Sequence, residues 1–302
     1  MLKENNILTA GYNLVLIQNL NSILDKFKEN RIGVILLKGA ALLEKIYPDI
    51  STRPMSDLDL LVKKEELKQC QEILEGLGFR PKPENSGILY VKAGEPAVCV
   101  DLHTEIPYLQ NQDLIREQVK DSLLPPEENL IYLCYHLAVH HGYPFEKWVR
   151  DIELFIDHYK DQLDWEKLVE KIKKYRLEIP CYYTLKKAGK VIKELKPGQS
   201  LRNLLFKKIF EAKQPIQNID YLLMVLVDPL RLFSFCFPSV EFMEKRYALK
   251  RPAVYLFYIF RPSMLLVSAI KAILSVFGNL RMNFSVSKTR RSRDVKSQAP
   301  HA

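Results

Sequence analysis

The sequence predicts an α+β protein in which a small mixed sheet with flanking helices is followed by a mostly helical domain. Apolar runs of strand length alternate with stretches of helical periodicity over the first hundred residues, which is the pattern of a sheet covered by helices. Pro125-Pro126 then interrupts the chain, since a helix cannot run through that pair. Beyond it the periodicity is helical almost throughout.

The elements follow in order. Leu8, Tyr12, Val15, Ile17, Leu20, Leu24 and Phe27 recur at spacings of mainly three and four, an amphipathic helix over Ile7 to Phe27. After Asn30-Arg31, the run Ile32-Gly33-Val34-Ile35-Leu36-Leu37 reads as a strand buried on both faces. Gly39 ends that strand and opens a helix from Ala40 to about Tyr47, stopped by Pro48. A second strand contains Asp57 and Asp59, and an amphipathic helix from Glu65 to Leu77 is stopped by Gly76 and Gly78. Ile88 to Val91 and Val98 to His103 form a hairpin across Ala93-Gly94-Glu95-Pro96. Helices are then expected over Glu128–His141, Phe145–Tyr159, Trp165–Tyr175, Pro180–Leu195 and Leu201–Ala212. Ala253 to Phe277 is strongly apolar, but Arg261-Pro262 and Lys271 divide it, so neither part reaches the ~20 uninterrupted apolar residues of a membrane span. It reads as two helices docked on the body, with a helix lying at a membrane surface as the alternative. The expected domains are 1–124, 125–250, an apolar helical segment 251–280 and a basic tail 281–302.

Composition narrows the class. The 302 residues, 47% hydrophobic and 27% charged, suit a globular chain with room for two domains. Cys70, Cys99, Cys134, Cys181 and Cys236 are scattered without metal-binding spacing and read as reduced core residues, so a zinc site is not expected. Met1-Leu2-Lys3-Glu4-Asn5-Asn6 lacks the pattern of a signal peptide, and the chain is expected to stay in the cytoplasm. The net charge of +9 is concentrated in the tail, where Arg281, Lys288, Arg290, Arg291, Arg293 and Lys296 face one acid, Asp294. Such a Ser-rich terminus reads as solvated and disordered, with contact to anionic lipid or nucleic acid as the alternative. No nucleic-acid groove is evident, so nucleic acid is not the expected partner.

Chemistry concentrates in two places. Asp57 and Asp59 stand at i, i+2 in Arg53-Pro54-Met55-Ser56-Asp57-Leu58-Asp59-Leu60-Leu61-Val62, and strand side chains alternate, so both project from one face. Carboxylates held this close repel unless a cation or a proton lies between them, which asks for a hard divalent ion such as Mg²⁺. Upstream, Leu36-Leu37-Lys38-Gly39-Ala40 joins a strand to a helix whose first N–H groups can receive a phosphate, with Lys38 beside them. Lys38 is taken as an exposed charge contributing little to packing. A third carboxylate, Asp101, shares a strand face with His103 and Glu105. If that strand neighbours the Asp57/Asp59 strand, three carboxylates converge and can hold two metals, the balance that transfer of a nucleotidyl group requires.

These segments resemble the nucleotidyltransferase superfamily that shares the catalytic fold of DNA polymerase β, with its Gly turn, Asp-x-Asp and later lone Asp. More narrowly, Leu37-Lys38-Gly39-Ala40-Ala41, the segment from Arg53 to Val62, and Val100-Asp101-Leu102-His103 resemble the bacterial NTP_transf_5 family of nucleotidyltransferases. The likeness continues through Leu133-Cys134-Tyr135-His136-Leu137-Ala138-Val139-His140 and Trp148-Val149-Arg150-Asp151-Ile152, and extends to Phe237-Pro238 and Arg246-Tyr247. The superfamily turn is usually Gly-Ser or Gly-Gly and its spacer to Asp-x-Asp is shorter, but the narrow family shares the Lys-Gly turn and the long spacer.

The resemblance implies transfer of an NMP group, AMP from ATP, to a hydroxyl of a small-molecule or protein acceptor. It implies Mg²⁺ or Mn²⁺ on Asp57, Asp59 and Asp101, with Lys38, Gly39, Arg53, Ser56 and His103 contacting the NTP. Lys38 takes the part of the usual Ser as a mobile point charge, and Arg53 does likewise from its loop. His103 is either a substrate or metal contact or a structural partner of Asp101. His136 and His140 share a helical face at i, i+4, where helix packing is the first reading, and pocket lining or metal binding the others. Asp151, next to Arg150, is expected to pair locally. A non-catalytic nucleotide-binding scaffold on the same fold is the competing reading, because fold does not fix function.

Overall fold

The computed structural model describes residues 2–82, 89–106, 108–109, 122–142 and 144–212, and beyond these 236–237, 240, 243–244, 250–251, 253–267, 270–271 and 274. Within them the chain is the mixed α+β structure expected. A long helix, α1 (Leu2–Glu29), leads into β1 (Val34–Leu37), α2 (Lys38–Ile46), β2 (Leu58–Val62), α3 (Leu67–Gly76), β3 (Arg80–Pro81), β4 (Leu89–Lys92) and β5 (Val98–His103). Helices follow: α4 (Pro126–Tyr135), a π-helical turn (His136–His141), α5 (Glu146–Tyr159), α6 (Trp165–Lys174), α7 (Glu178–Lys187) and α8 (Leu201–Phe210).

The sheet order among the described residues is β1-β2-β5-β4-β3. β2 runs antiparallel to β1 and parallel to β5, while β4 pairs antiparallel with both β5 and β3. This order makes β2 and β5 neighbours and sets Asp59 directly opposite Asp101. β2 is buried at every position, as a central strand should be. By contrast β1 alternates, with Ile35 and Leu37 buried and Val34 and Leu36 only partly so. Among the described residues β1 is the edge strand of the sheet, laddered to β2 and met on its other side by a single bridge from Leu36 to Leu123, so the both-face burial expected of it is incomplete.

Period-two alternation divides the sheet into two faces. Leu58, Leu60, Val62, Val100 and Leu102 enter the main core, which also takes Leu16, Ile23 and Phe27 of α1 and residues from α4 to α8. On the other face Ile35, Leu37 and Leu61 pack with Ile106, Leu124 and Tyr132. Asp59 and Asp101 belong to this second face. The strand that delivers them is thus anchored by its apolar side and keeps its acidic side for the cleft.

Several elements differ from expectation at their ends. The helix expected over Pro180–Leu195 stops at Lys187, where Gly189 takes φ +79° and the chain folds back. The expected pair of C-terminal helices is instead one uninterrupted helix over 253–267, running through Arg261 and Pro262. A proline removes one i→i−4 bond, and here that loss does not end the helix. Val254 and Arg261 of this helix are buried, while Leu256, Ile259, Phe260, Met264 and Leu266 are exposed. The tail 281–302, and Pro238, Arg246 and Tyr247 of the sequence motif, lie outside the described residues.

Candidate active site

Three anchors aim the segment before β2. Asn13 of α1 is buried and donates from Nδ2 to the carbonyl oxygens of Ile50 (2.6 Å) and Arg53 (2.8 Å). Tyr12 donates its hydroxyl to the Ser56 carbonyl at 3.2 Å. Arg53 itself is buried and gives a two-pronged bond to Asp151 of α5, Nε to Oδ1 and Nη2 to Oδ2, both 2.7 Å. The Tyr47 hydroxyl adds a bond to the same Asp151 Oδ1 at 2.6 Å. Asp151 therefore does not pair with Arg150, which bonds Glu153 instead. Residues 150 and 151 stand about 100° apart around the helix axis, and only Asp151 is turned inward to meet Arg53.

Gly39 is required for space. A Cβ there would lie 2.5 Å from Arg53 Nη1 and 3.3 Å from the Met55 Cγ, so the guanidinium fills the volume a side chain would need. The left-handed residue of this turn is Lys38, at φ 49°, and α2 starts there rather than at Ala40. A non-glycine residue in that conformation stores backbone strain of order 1–3 kcal/mol, which the surrounding contacts must hold. The holding contact is visible: Lys38 Nζ lies 2.6 Å from Asp59 Oδ1, with its side chain only 17% exposed. The expectation of an exposed Lys38 is thereby corrected, because a left-handed turn points the side chain over the sheet face and not into solvent.

Asp59, Asp101 and His103 come together, their ligand atoms all within 4.8 Å of one another. His103 Nε2 is 2.9 Å from Asp59 Oδ1 and 3.5 Å from Asp101 Oδ2. Asp57 lines the same cleft but stands outside this tight group, taking the Ser56 hydroxyl on its carboxylate at 2.8 Å. The two central acids are opposites electrically. Burial opposes ionisation of Asp59, yet the hydrogen bond from His103 and the charge of Lys38 outweigh it and hold its carboxyl below the usual range. Burial raises Asp101, His103 offsets this in part, and the charge of Asp59 pushes it further up. Asp101 is thus a carboxylate short of positive charge. Two carboxylates and an imidazole suit a divalent cation with oxygen preference, so the residues present fit the metal expected from the sequence.

The cleft holds about 220 Å³ and is walled on its other side by His136, His140, His141, Lys147 and Trp148. His136 and His140 thus line the cleft in addition to packing within their helical segment. His141 stacks on Trp148 with ring centroids 3.5 Å apart, and its Nε2 is 3.1 Å from His136 Nε2. Burial pushes the pKa of both imidazoles down, that of His141 to about 3, with the neighbouring histidine and Lys38 charges adding to it. Both are neutral at physiological pH. Four cleft residues were given no site role by the sequence reading: Met55, His141, Lys147 and Trp148. The signal was three histidines in six residues, but α-helical periodicity brings only 136 and 140 together, while a π turn, bonded i→i+5, gathers 141 as well.

A sheet carrying facing acids beside a helix N-terminus and a basic residue is an arrangement that can hold a divalent cation next to a phosphate-bearing group. The profile of the uncharacterised nucleotidyltransferase family NTP_transf_5 matches residues 1–192, and the chain belongs to that family. Membership supports a transferase over the non-catalytic scaffold. The match ends before Phe237 and Tyr247. No curated protein and no solved structure matches the chain. Among the described residues no helix is long and apolar enough to cross a membrane.

Proposed function

We propose that the chain transfers an NMP group, AMP from ATP, to a hydroxyl on a small-molecule or protein acceptor, using Asp57, Asp59 and Asp101 with Mg²⁺ or Mn²⁺. The observation that carries this reading is Asp59 opposite Asp101 across the parallel β2–β5 pair, on the face that lines the cleft beside the start of α2. When bound, divalent ions at these acids supply charge neutralisation for the triphosphate and lower the pKa of an attacking hydroxyl.

The protein's own groups do the rest. Lys38 pairs with Asp59 in the chain without metal, and its ammonium would turn to a phosphate oxygen if Asp59 held a cation. The first N–H groups of α2 face the same space and favour an anion. Asp101, raised in pKa, is suited to accept a proton from the acceptor hydroxyl as it attacks. His103 holds Asp59 in place and stands within reach of the substrate. Arg53 acts mainly by position: two of its nitrogens are committed to Asp151, and it braces the Gly39 turn. The helical segment after residue 125 closes the cleft and selects the acceptor.

The test uses α-labelled and γ-labelled ATP with a cell extract as acceptor source. Label is expected to pass to acceptor from the α-position alone, with pyrophosphate released. Asp57→Asn, Asp59→Asn and Asp101→Asn should each abolish transfer while the protein stays folded. Transfer of the γ-label would make the protein a kinase, and full activity in all three variants would remove the assigned site.

The exposed apolar helix over 253–267 favours a companion reading, peripheral contact with the inner face of a membrane. Lys250, Arg251 and Lys271 border it, and the basic tail follows, a charge suited to anionic lipid. The full chain should sediment with anionic vesicles, and deletion of 281–302 should weaken this. Equal recovery in the supernatant with and without vesicles would dismiss the contact.

A further inference from the structure

We propose that His136, His140 and His141 form a second metal site, which binds Zn²⁺ through three imidazoles and is separate from the acidic site. The proposal goes beyond nucleotidyl transfer and does not depend on it.

Geometry is the first support. The ligand nitrogens of the three histidines all lie within 4.8 Å of one another. Two nitrogens bound tetrahedrally to one zinc at about 2.0–2.1 Å are separated by roughly 3.3 Å. The His136–His141 separation, Nε2 to Nε2, is 3.1 Å, so this pair stands close to ligating distance. His140 is exposed, its ring lies stacked on His136 with centroids 5.2 Å apart, and its ligand nitrogen already stands within 4.8 Å of the other two.

Chemistry is the second support. In the chain without metal one of the His136 and His141 Nε2 atoms donates a hydrogen bond to the other, and a cation would take the place of that shared hydrogen. Imidazole sets select zinc and its neighbours in the transition series over Mg²⁺. Trp148 backs the His141 ring face to face and fixes its orientation, as packing around metal ligands commonly does. Three protein ligands leave a fourth position open, and the site faces the cleft.

The backbone is the third. The three histidines occupy the one π-helical stretch among the described residues, and Gly142 ends it in the left-handed region at φ 63°. A regular α-helix would set residues 136 and 141 about 140° apart around its axis. Irregular π turns recur at functional sites.

The experiment titrates Co²⁺ and Zn²⁺ into the tag-free full chain carrying Asp59→Asn and Asp101→Asn, which disables the acidic site. Near one equivalent of Co²⁺ should bind with the visible absorption of a four-coordinate nitrogen site and no thiolate charge-transfer band, and Zn²⁺ should displace it. His140→Ala, a change at an exposed position, should weaken binding roughly 100-fold by removing one of three ligands, with circular dichroism confirming its fold. His141→Asn should do the same, with circular dichroism confirming its fold. Binding unaffected by His140→Ala, a thiolate band, or no Co²⁺ signal at all would each overturn the site.

Discussion

The two walls of the cleft are built on different principles. The strand wall is charged and self-neutralising: Lys38 and His103 both engage Asp59, and Asp101 is left partly uncompensated. The helical wall is dominated by neutral rings, His136 and His141 held unprotonated by burial against Trp148. One wall suits a hard cation and phosphate, the other a softer ion or a flat acceptor. A single buried pair, Arg53–Asp151, fastens the loop of the first wall to the helix of the second.

Breaking that fastening should have the largest effect. Asp151→Ala leaves the Arg53 guanidinium buried without its carboxylate and should cost roughly 3–5 kcal/mol in urea denaturation. Replacing both partners by apolar residues of similar volume should recover much of this, because no unpaired charge then remains. A loss within error of zero for Asp151→Ala would mean that the walls are tied elsewhere.

A smaller loss is expected on the strand wall. Asp59→Asn keeps an acceptor oxygen but removes the negative charge that Lys38 and His103 share, and should destabilise the chain by about 1–3 kcal/mol at neutral pH. Asp59 has a depressed folded pKa, so its contribution is present above the unfolded value, near pH 4, and is lost as pH falls through the folded value. Wild type and variant should therefore converge in acid. Parallel stability curves down to pH 2 would contradict the pairing.

The smallest effect has the opposite sign. Asp101 has a raised folded pKa, so its ionised form opposes folding at neutral pH, and this penalty vanishes below about pH 4, where both states are protonated. Asp101→Asn should raise the melting temperature in chelator, by a gain of up to about 1 kcal/mol, and the gain should shrink in acid. Excess Mg²⁺ should reverse the order, because the wild type then gains ligand-linked stability that the variant lacks. A destabilised variant in chelator would show that Asp101 is already satisfied by His103.

Much of the strand wall was legible in the sequence. Asp59 and Asp101 sit in strands whose apolar partners alternate with them, and alternation alone assigns them a face. That β2 and β5 would be neighbours was stated as a condition, and the parallel register with Asp59 against Asp101 meets it. Asp57 was grouped with them by the same rule, but it precedes the strand, where the ladder no longer fixes spacing. The helical wall was barely legible, because His141 joins His136 only through a π turn that α-helical periodicity does not anticipate.

The sequence by itself determined the order of elements, the acidic strand face, the Lys-Gly turn and the family. All of these rest on neighbours within a few residues, whose spacing, turn chemistry and charge repulsion act locally. Only the tertiary structure decided which charges meet: Lys38 with Asp59 across 21 residues and Arg53 with Asp151 across 98. Spacing along a chain carries no preference among distant carboxylates. The choice is made when burial strips water from Arg53 and leaves Asp151 and Tyr47 as the groups within hydrogen-bonding reach.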